Sequence, residues 1–263
     1  MNVIDEIIEN KKKILEKTKA KKDLSQIKKE AFDYRESMDE KFRFQSILKK
    51  DETTKLICEY KPASPSKGDI SNLDVAEVIK IYDETPVDMI SVITEKSYFK
   101  SNFRNFQIAN ENTRKPLLRK DFVIDEYMIY EAAANNASCI LLIEGVCPDM
   151  EKYLNITYEL GIDAIVECHS KDDLENVVDL NPQIIGVNNR NLNDLTINLD
   201  TTKYLREYVP NYMISESGVN TLDDARLLKS YNADALLIGT SILRKNNPST
   251  IKSYIRQLHN VLI

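Results

Sequence analysis

Eight short apolar runs dominate the chain after residue 55, and they begin about 20 to 35 residues apart. They start at Leu56, Met89, Pro116, Cys139, Ala164, Ile184, Tyr212 and Ala235. Most gaps between them have the apolar spacing of an amphipathic helix, as at 74–82, where Val75, Val78 and Ile79 recur. Apolar runs that alternate with helical stretches predict parallel β-α units.

The number and character of the runs favour one architecture. They are continuously apolar, as strands covered on both faces are, and eight β-α units in about 210 residues fit a (β/α)8 TIM barrel. An open doubly wound sheet is the alternative, but it often binds its ligand through a glycine-rich turn, which this chain lacks. Further helices are predicted at 125–134, 149–160, 171–180, 201–208, 222–230 and 249–261, and 99–111 is the least regular gap.

The segment before the barrel is predicted to be helical. Residues 2–32 have apolar positions at helical spacing, with Lys and Glu on the other faces. We therefore expect an N-terminal helical extension over 1–45 and a single catalytic (β/α)8 domain over 46–263.

Composition excludes several functional classes. Six glycines, no two closer than sixteen residues, exclude the dinucleotide fingerprint, the Walker A loop and the nucleophile elbow. The formal net charge of −6 argues against a nucleic-acid partner, and no apolar run approaches the roughly 18 residues of a membrane span. With two histidines and no C-x-x-C spacing among four cysteines, we expect no metal, reduced thiols and, without signal-peptide features, a cytoplasmic protein.

Charged side chains share a phase at five predicted strand ends. Strand side chains alternate with period two, so Ile57, Glu59 and Lys61 lie on one face. The same phase joins Leu118 to Lys120, Ile165 to Glu167, Gly186 to Asn188 and Ile214 to Glu216. A single charge at a strand end is usually only solvated, but five matching ends predict a barrel mouth with three Glu, two Lys and one Asn. Glu beside Lys suits proton transfer because each shifts the other's pKa.

Two glycine turns predict a phosphate site. Ser217-Gly218 and Gly239-Thr240 follow the seventh and eighth predicted strands, and these loops commonly bind phosphate in such barrels through backbone N–H groups. The structural alternative is that Gly186, Gly218 and Gly239 only allow tight turns.

These residues resemble the indole-3-glycerol-phosphate synthase family. The matching segments are Glu59-Tyr60-Lys61, Ser64-Pro65-Ser66-Lys67-Gly68, Ser91-Val92-Ile93-Thr94-Glu95, Tyr98-Phe99, Leu118-Arg119-Lys120-Asp121-Phe122, Glu167, Gly186-Val187-Asn188-Asn189-Arg190-Asn191-Leu192, Glu216-Ser217-Gly218 and Ile238-Gly239-Thr240-Ser241. They cover about 55–245 in order. The blocks around Glu59 and Lys120 are specific, whereas Glu-Ser-Gly also occurs in other phosphate-binding barrels.

The resemblance implies a cofactor-free lyase. The substrate, 1-(2-carboxyphenylamino)-1-deoxyribulose 5-phosphate, closes its ring and loses CO2 and water to give indole-3-glycerol phosphate. By resemblance, Lys120 is the general acid, Glu167 the acid/base of dehydration with support from Glu59, and Lys61 contacts the anionic substrate or assists proton transfer. The remaining candidates are Asn188 as a catalytic positioning residue, Ser64, Phe99, Arg190, Glu216 and Ser217 for substrate, and Ser217, Gly218, Gly239 and Thr240 for phosphate. A monomer or weak homodimer is expected.

Three positions depart from the family pattern. Pro62 stands where the family often has Lys or Arg, Ser101 replaces a Gly and is expected to stiffen its loop, and Glu144 is an unusual charge that would repel the substrate or pair with a lysine. Two other functions stay open at this point. One is a different phosphate-binding barrel enzyme of the ketose isomerase type, and the other is a non-catalytic barrel that serves as a binding subunit.

Overall fold

The protein is a closed barrel of eight parallel strands. The computed structural model describes residues 3–191 and 194–263, so Leu192 of the predicted motif lies outside the described residues. The strands are β1 (Lys55–Tyr60), β2 (Met89–Ile93), β3 (Leu117–Lys120), β4 (Cys139–Ile143), β5 (Asp163–Cys168), β6 (Ile184–Asn188), β7 (Tyr212–Glu216) and β8 (Ala235–Ile238). They pair in chain order, and β1 pairs with both β2 and β8. The predicted TIM barrel is confirmed, and the open sheet is wrong.

Helices follow the strands as the apolar spacing predicts. The helices of the barrel are α4 (Val75–Asp83), α5 (Phe103–Asn112), α6 (Glu126–Ala134), α7 (Met150–Leu160), α8 (Lys171–Val177), α9 (Asp200–Arg206), α10 (Leu222–Ser230), α11 (Thr240–Leu243) and α12 (Pro248–Leu262). A 3-10 turn, Val178–Leu180, continues α8. The short strands Ala63–Ser64 and Gly68–Asp69 pair as a hairpin in the loop after β1. No helix in the described ranges is long and apolar enough to cross a membrane.

The strands divide their side chains between two apolar layers. Ile57, Leu118, Ile165 and Ile214 pack together inside the barrel, whereas Cys58 belongs to the larger layer between strands and helices. This confirms the predicted phase of the strands. Because Glu59, Lys120, Glu167 and Glu216 follow the inward residues by two positions, their side chains point into the mouth of the barrel.

The segment predicted as one helix over 2–32 is two helices, α1 (Val3–Lys21) and α2 (Leu24–Glu36). The helix is interrupted at Asp23. The side chain of Asp23 accepts the N–H of Gln26, and the side chain of Gln26 accepts the N–H of Asp23. This reciprocal capping box starts a new helix.

A short helix closes the end of the barrel where the strands begin. In α3 (Arg43–Leu48), Phe44 and Leu48 pack into the inner layer. The buried carboxylate of Asp163 accepts the N–H of Phe44 at 2.8 Å and the side-chain amide of Gln45 at 2.9 Å. The predicted boundary between residues 45 and 46 falls inside this helix, and the division into 1–45 and 46–263 stays a prediction.

Candidate active site

A cavity of about 230 Å³ opens at the carboxyl ends of the strands. Twelve of the predicted site residues line it, namely Glu59, Lys61, Ser64, Phe99, Lys120, Glu167, Asn188, Arg190, Ser217, Gly218, Gly239 and Thr240. Helix α1 lies across the same end and contributes Val3, Ile4 and Ile7 to the wall. The cavity therefore combines a charged floor with apolar cover.

Glu59 and Lys61 form an ion pair at the end of β1. Lys61 Nζ lies 2.6 Å from Glu59 Oε2, and the side chains are 19% and 2% exposed. The Glu59 backbone carbonyl accepts a hydrogen bond from the buried Tyr82 hydroxyl at 3.0 Å, which fixes the end of the strand. The buried carboxylate of Glu59 needs a charged partner such as Lys61, because an unpaired buried charge is costly.

Lys120 lies between two carboxylates. Its ammonium group donates a hydrogen bond to Glu216 Oε2 and lies 3.5 Å from Glu167 Oε2. Burial by itself lowers the pKa of Lys120, but the negative charges of Glu216, Glu167 and Glu59 outweigh it and hold the pKa above its ordinary value. Lys120 is therefore a protonated amine at the cavity floor.

Glu167 is buried but held as an anion. Burial raises the pKa of its carboxyl group, yet Lys120, His169 and Asn188 reverse this, so the pKa lies below its ordinary value. The Asn188 side chain donates to Glu167 Oε1 at 3.1 Å, and Asn188 Oδ1 accepts the N–H of Arg190 at 3.0 Å. The amide of Asn188 is thus oriented at both ends.

Glu216 lies beneath Lys120 rather than on the cavity wall, and its side chain is 1% exposed. Gly186 gives it room, since a β-carbon there would lie 2.5 Å from Glu216 Oε1. Burial and the neighbouring carboxylates of Glu167 and Glu59 raise the pKa of Glu216 despite Lys120. Glu216 is predicted to contact the substrate, but its carboxylate is positioned to act through Lys120 instead.

The turn after β7 presents free backbone donors. Ser217 and Gly218 have φ values of 65° and 101°, a conformation that glycine adopts easily and serine rarely does. The N–H groups of Gly218 and Val219 donate no hydrogen bond to any residue that the structure describes. Since both residues line the cavity, their N–H groups are available to an anion.

Asn189 holds this turn, a role that the sequence alone did not reveal. Its side-chain amide donates to Ser215 Oγ and to the carbonyls of Glu216 and Ser217 at 3.0 to 3.1 Å. Its Oδ1 accepts from the N–H and hydroxyl of Thr202. The position of Asn189 in the predicted motif was the available signal, but the partners are distant in the chain.

Glu95 organises the loop that carries Phe99. The buried carboxylate accepts the backbone N–H groups of Ser97, Tyr98 and Phe99 at 2.7 to 3.1 Å. The Phe99 ring lies 6.5 Å from that of Phe122, and both line the cavity. These rings form an aromatic wall opposite the glycine turns of β7 and β8.

The three departures from the family pattern have local explanations. The Pro62 carbonyl accepts the N–H of Ile70 at 2.8 Å and so closes the hairpin loop after β1. Buried Ser101 donates its hydroxyl to the Ile93 carbonyl at 2.5 Å and thereby ties its loop to β2. Glu144 accepts a hydrogen bond from Asn176 on α8 at 3.2 Å, does not line the cavity and forms no ion pair with a lysine among the described residues.

Within the described ranges, no group of three or more His, Cys, Asp or Glu side chains is arranged to hold a metal ion. The site's chemistry is therefore built from Lys, Glu, Asn and backbone N–H groups. Such groups suit proton transfer and anion binding.

The family model for indole-3-glycerol phosphate synthase matches residues 4–258. The chain belongs to this family. An indole-3-glycerol phosphate synthase of Methanothermobacter marburgensis is 40% identical over 94% of this chain and 89% of the relative. That of Leuconostoc mesenteroides is 39% identical over 86% of this chain and 87% of the relative.

Solved structures outside the indole-3-glycerol phosphate synthase family share the barrel. A thiamine phosphate pyrophosphorylase from Pyrococcus furiosus has a TM-score of 0.60 at 11% identity, over 80% of this chain and 96% of that one. An N-acetylmannosamine-6-phosphate 2-epimerase from Clostridium perfringens has a TM-score of 0.59 at 12% identity, over 76% and 93%. At this identity the likeness shows the fold alone.

Proposed function

We propose that the cavity at the carboxyl ends of the strands performs the indole-3-glycerol phosphate synthase reaction of tryptophan biosynthesis, a carbon–carbon lyase reaction, with Lys120 as general acid. The substrate is 1-(2-carboxyphenylamino)-1-deoxyribulose 5-phosphate, and the products are indole-3-glycerol phosphate, CO2 and water. The observation that carries the proposal is the position of Lys120 at the cavity floor, paired with Glu216 and 3.5 Å from Glu167.

The first step forms the five-membered ring. The ring carbon that bears the carboxylate bonds to the ketone carbon, and negative charge develops on the ketone oxygen. Lys120, held as an ammonium group by the surrounding carboxylates, donates its proton to that oxygen. Lys61 lies at the end of β1, within the same cavity, and its charge supports binding of the substrate carboxylate until CO2 leaves and the aromatic ring is restored.

The last step removes water. The hydroxyl formed at the former ketone leaves with a proton, and the adjacent methylene carbon loses one. Glu167 faces Lys120 on one oxygen and Asn188 on the other, which supports an acid/base role for its carboxyl group. Glu59 supports the same role indirectly, because it holds Lys61 at 2.6 Å and adds negative charge near Lys120.

The rest of the substrate is placed by two opposite walls. The phosphate is assigned to the N–H groups of the Ser217-Gly218 turn and of Gly239 and Thr240, which line one side. Such backbone donors favour an anion. Phe99 lines the opposite side for the aromatic ring, and Ser64 and Arg190 complete the predicted contacts.

The decisive experiment incubates the purified chain with the carboxyphenylamino-deoxyribulose phosphate and follows indole fluorescence and CO2 release together. Formation of both at the same rate is the expected result. A folded protein that binds inorganic phosphate but forms neither product would contradict the proposal and favour a binding subunit. Isomerisation of a sugar phosphate without CO2 release would favour a ketose isomerase.

We also propose a cytoplasmic monomer or weak homodimer that does not bind nucleic acid. The net charge of −6 supports the last point. Light scattering at several protein concentrations measures the mass, and a stable higher oligomer would contradict the proposal.

A further inference from the structure

His169 lies behind Glu167 and connects it to the protein surface. Its Nε2 is 3.1 Å from Glu167 Oε1, in an ion-pair contact rather than a well-aligned hydrogen bond. Its Nδ1 is 3.6 Å from Asp173 Oδ2, and its backbone N–H donates to the same oxygen at 2.7 Å. The imidazole therefore lies between a carboxylate of the active site and one at the start of α8.

Exposure increases along this series of side chains. The exposed fraction is 4% for Glu167, 14% for His169 and 27% for Asp173. Glu167 lines the cavity, whereas neither His169 nor Asp173 does. The series leads from the reacting groups, past the end of β5, to a partly exposed carboxylate in the first turn of α8.

The charges around the imidazole favour its protonated form. Burial lowers the pKa of His169, but Asp173 and Glu167 outweigh this and raise it to about 9. Lys120 faces the other oxygen of Glu167, and Glu144, on the turn after β4, directs its carboxylate to Asn176. At neutral pH His169 is thus an imidazolium, and Glu167 is its counter-ion.

The reaction needs a proton from outside the cavity. Two protons are taken up, one at the ketone oxygen and one at the leaving hydroxyl, while one is released from the methylene carbon. The carboxylate leaves as neutral CO2, so one proton is consumed per turnover. If the released proton returns to Lys120, the proton of the leaving hydroxyl is the one that must be supplied.

We propose that His169 stores this proton and delivers it through Glu167, with Asp173 holding the imidazole. The Nε2–H bond breaks and an O–H bond forms on Glu167. The carboxyl group then protonates the hydroxyl, whose carbon–oxygen bond breaks, and the bonding electrons leave with water. Neutral His169 keeps its Nδ1–H, and the vacant Nε2 recovers a proton when the ring rotates toward the solvent beside Asp173. His169 is thus a positioning and proton-supplying residue that acts through Glu167, and the proposal rests on the acid/base role of Glu167.

The first test is His169→Asn, because asparagine fills similar space but does not titrate. We expect kcat to fall about 100-fold, in the range of general acid catalysis, with KM within about twofold of the parent. We expect the parent to lose kcat above about pH 9, where His169 loses its proton, and we expect this loss to be absent from the variant. Asp173→Asn should move that loss to lower pH, whereas Asp172→Asn, on the exposed side of the same turn, should leave it unchanged.

The second test distinguishes proton supply by His169 from a purely structural role of this side chain. In His169→Ala, added imidazole should restore kcat, and a series of substituted imidazoles should restore it according to their pKa values. A loss of kcat with no rescue, or with an unchanged pH profile in His169→Asn, would overturn the proposal. Glu167→Gln tests the underlying role separately: if it stays active, the proposed function of Glu167 fails, whatever the His169 variants show.

Discussion

The carboxylate of Glu59 occupies the space that a side chain on Gly239 would fill. A β-carbon at position 239 would lie 2.7 Å from Glu59 Oε2 and 3.0 Å from Glu59 Cβ. The φ of Gly239 is −126°, outside the left-handed region that favours glycine, so the close approach of Glu59 is the reason for glycine that the structure shows. The turn after β8, to which we assign the substrate phosphate, is therefore in direct contact with the ion pair of β1.

Gly239→Ala is expected to displace Glu59 and with it Lys61. Because a misplacement of about 1 Å costs up to about 100-fold in rate, kcat should fall about 10- to 100-fold. Steady-state kinetics measures this. The control is Gly145→Ala, where the added carbon meets no atom within 4 Å and only the positive φ of 79° is opposed. It should lower the melting temperature and leave kcat unchanged, and full activity of Gly239→Ala would contradict the steric argument.

Lys120→Met removes the proposed general acid while keeping its bulk. We expect a loss of about 100- to 10,000-fold in kcat, the range for an acid/base group, with a folded barrel by circular dichroism. Lys152→Met is the matched control, because Lys152 pairs with Glu126 on the exposed surface. If the Lys120 variant turned over at near the parent rate, another group would have to protonate the ketone.

Lys11→Met is expected to loosen helix α1 from the cavity. Lys11 Nζ lies 2.6 Å from Asp121, and the two side chains are 9% and 0% exposed. Breaking one partner of a buried pair costs roughly 3 to 5 kcal/mol, although Arg119 at 3.6 Å still faces Asp121. Because α1 supplies apolar residues to the cavity wall, KM for the substrate should rise in the variant. The backbone amides of α1 should also exchange faster with deuterium.

Lys12→Met provides the control for that experiment. Lys12 and Glu9 form an exposed pair with side chains 57% and 49% accessible, and such pairs contribute little. Both exchange and KM should match the parent. Equal protection of α1 in the two variants would show that the buried pair does not hold the helix.

Asp163→Asn is expected to stabilise the protein at neutral pH. Burial raises the pKa of Asp163 to about 6, despite its hydrogen bonds to Phe44 and Gln45. A raised carboxyl pKa means that the folded state binds the extra proton, so stability is lost as the pH rises from about 4 to 6. The shift corresponds to about 2 to 3 kcal/mol.

The measurement for Asp163 is urea unfolding at pH 4.5 and 7.5. The parent should lose stability between these values relative to Asp163→Asn, whose amide keeps an oxygen for the N–H of Phe44. Asp163→Ala removes the acceptor and should be less stable at both pH values. Parallel behaviour of the parent and the Asn variant would contradict the raised pKa.

The barrel was predictable because its signal is periodic and local. Inward residues such as Ile57 and Ile165 share a phase with Glu59 and Glu167, so one rule placed the inner layer and the charged mouth together. The helix boundaries also agree closely, since apolar spacing and capping residues lie within each helix.

The remaining features depend on contacts between distant residues. The insertion of Phe44 into the barrel and the support of Ser217 by Asn189 join segments whose proximity the sequence does not display. The break at Asp23 is the exception, because its capping box joins residues only three apart. His169 is only two residues from Glu167 and four from Asp173, but the sequence does not show that its imidazole lies between the two carboxylates.

Six titratable groups share the mouth of the barrel, namely Glu59, Glu167 and Glu216 with Lys61, Lys120 and His169. Well-packed apolar side chains in place of buried ion pairs often make a protein more stable. In this region the groups that activity requires therefore lower the stability of the fold. Variants selected for heat resistance alone are therefore expected to lose these groups, and the most heat-resistant of them are expected to form no indole-3-glycerol phosphate.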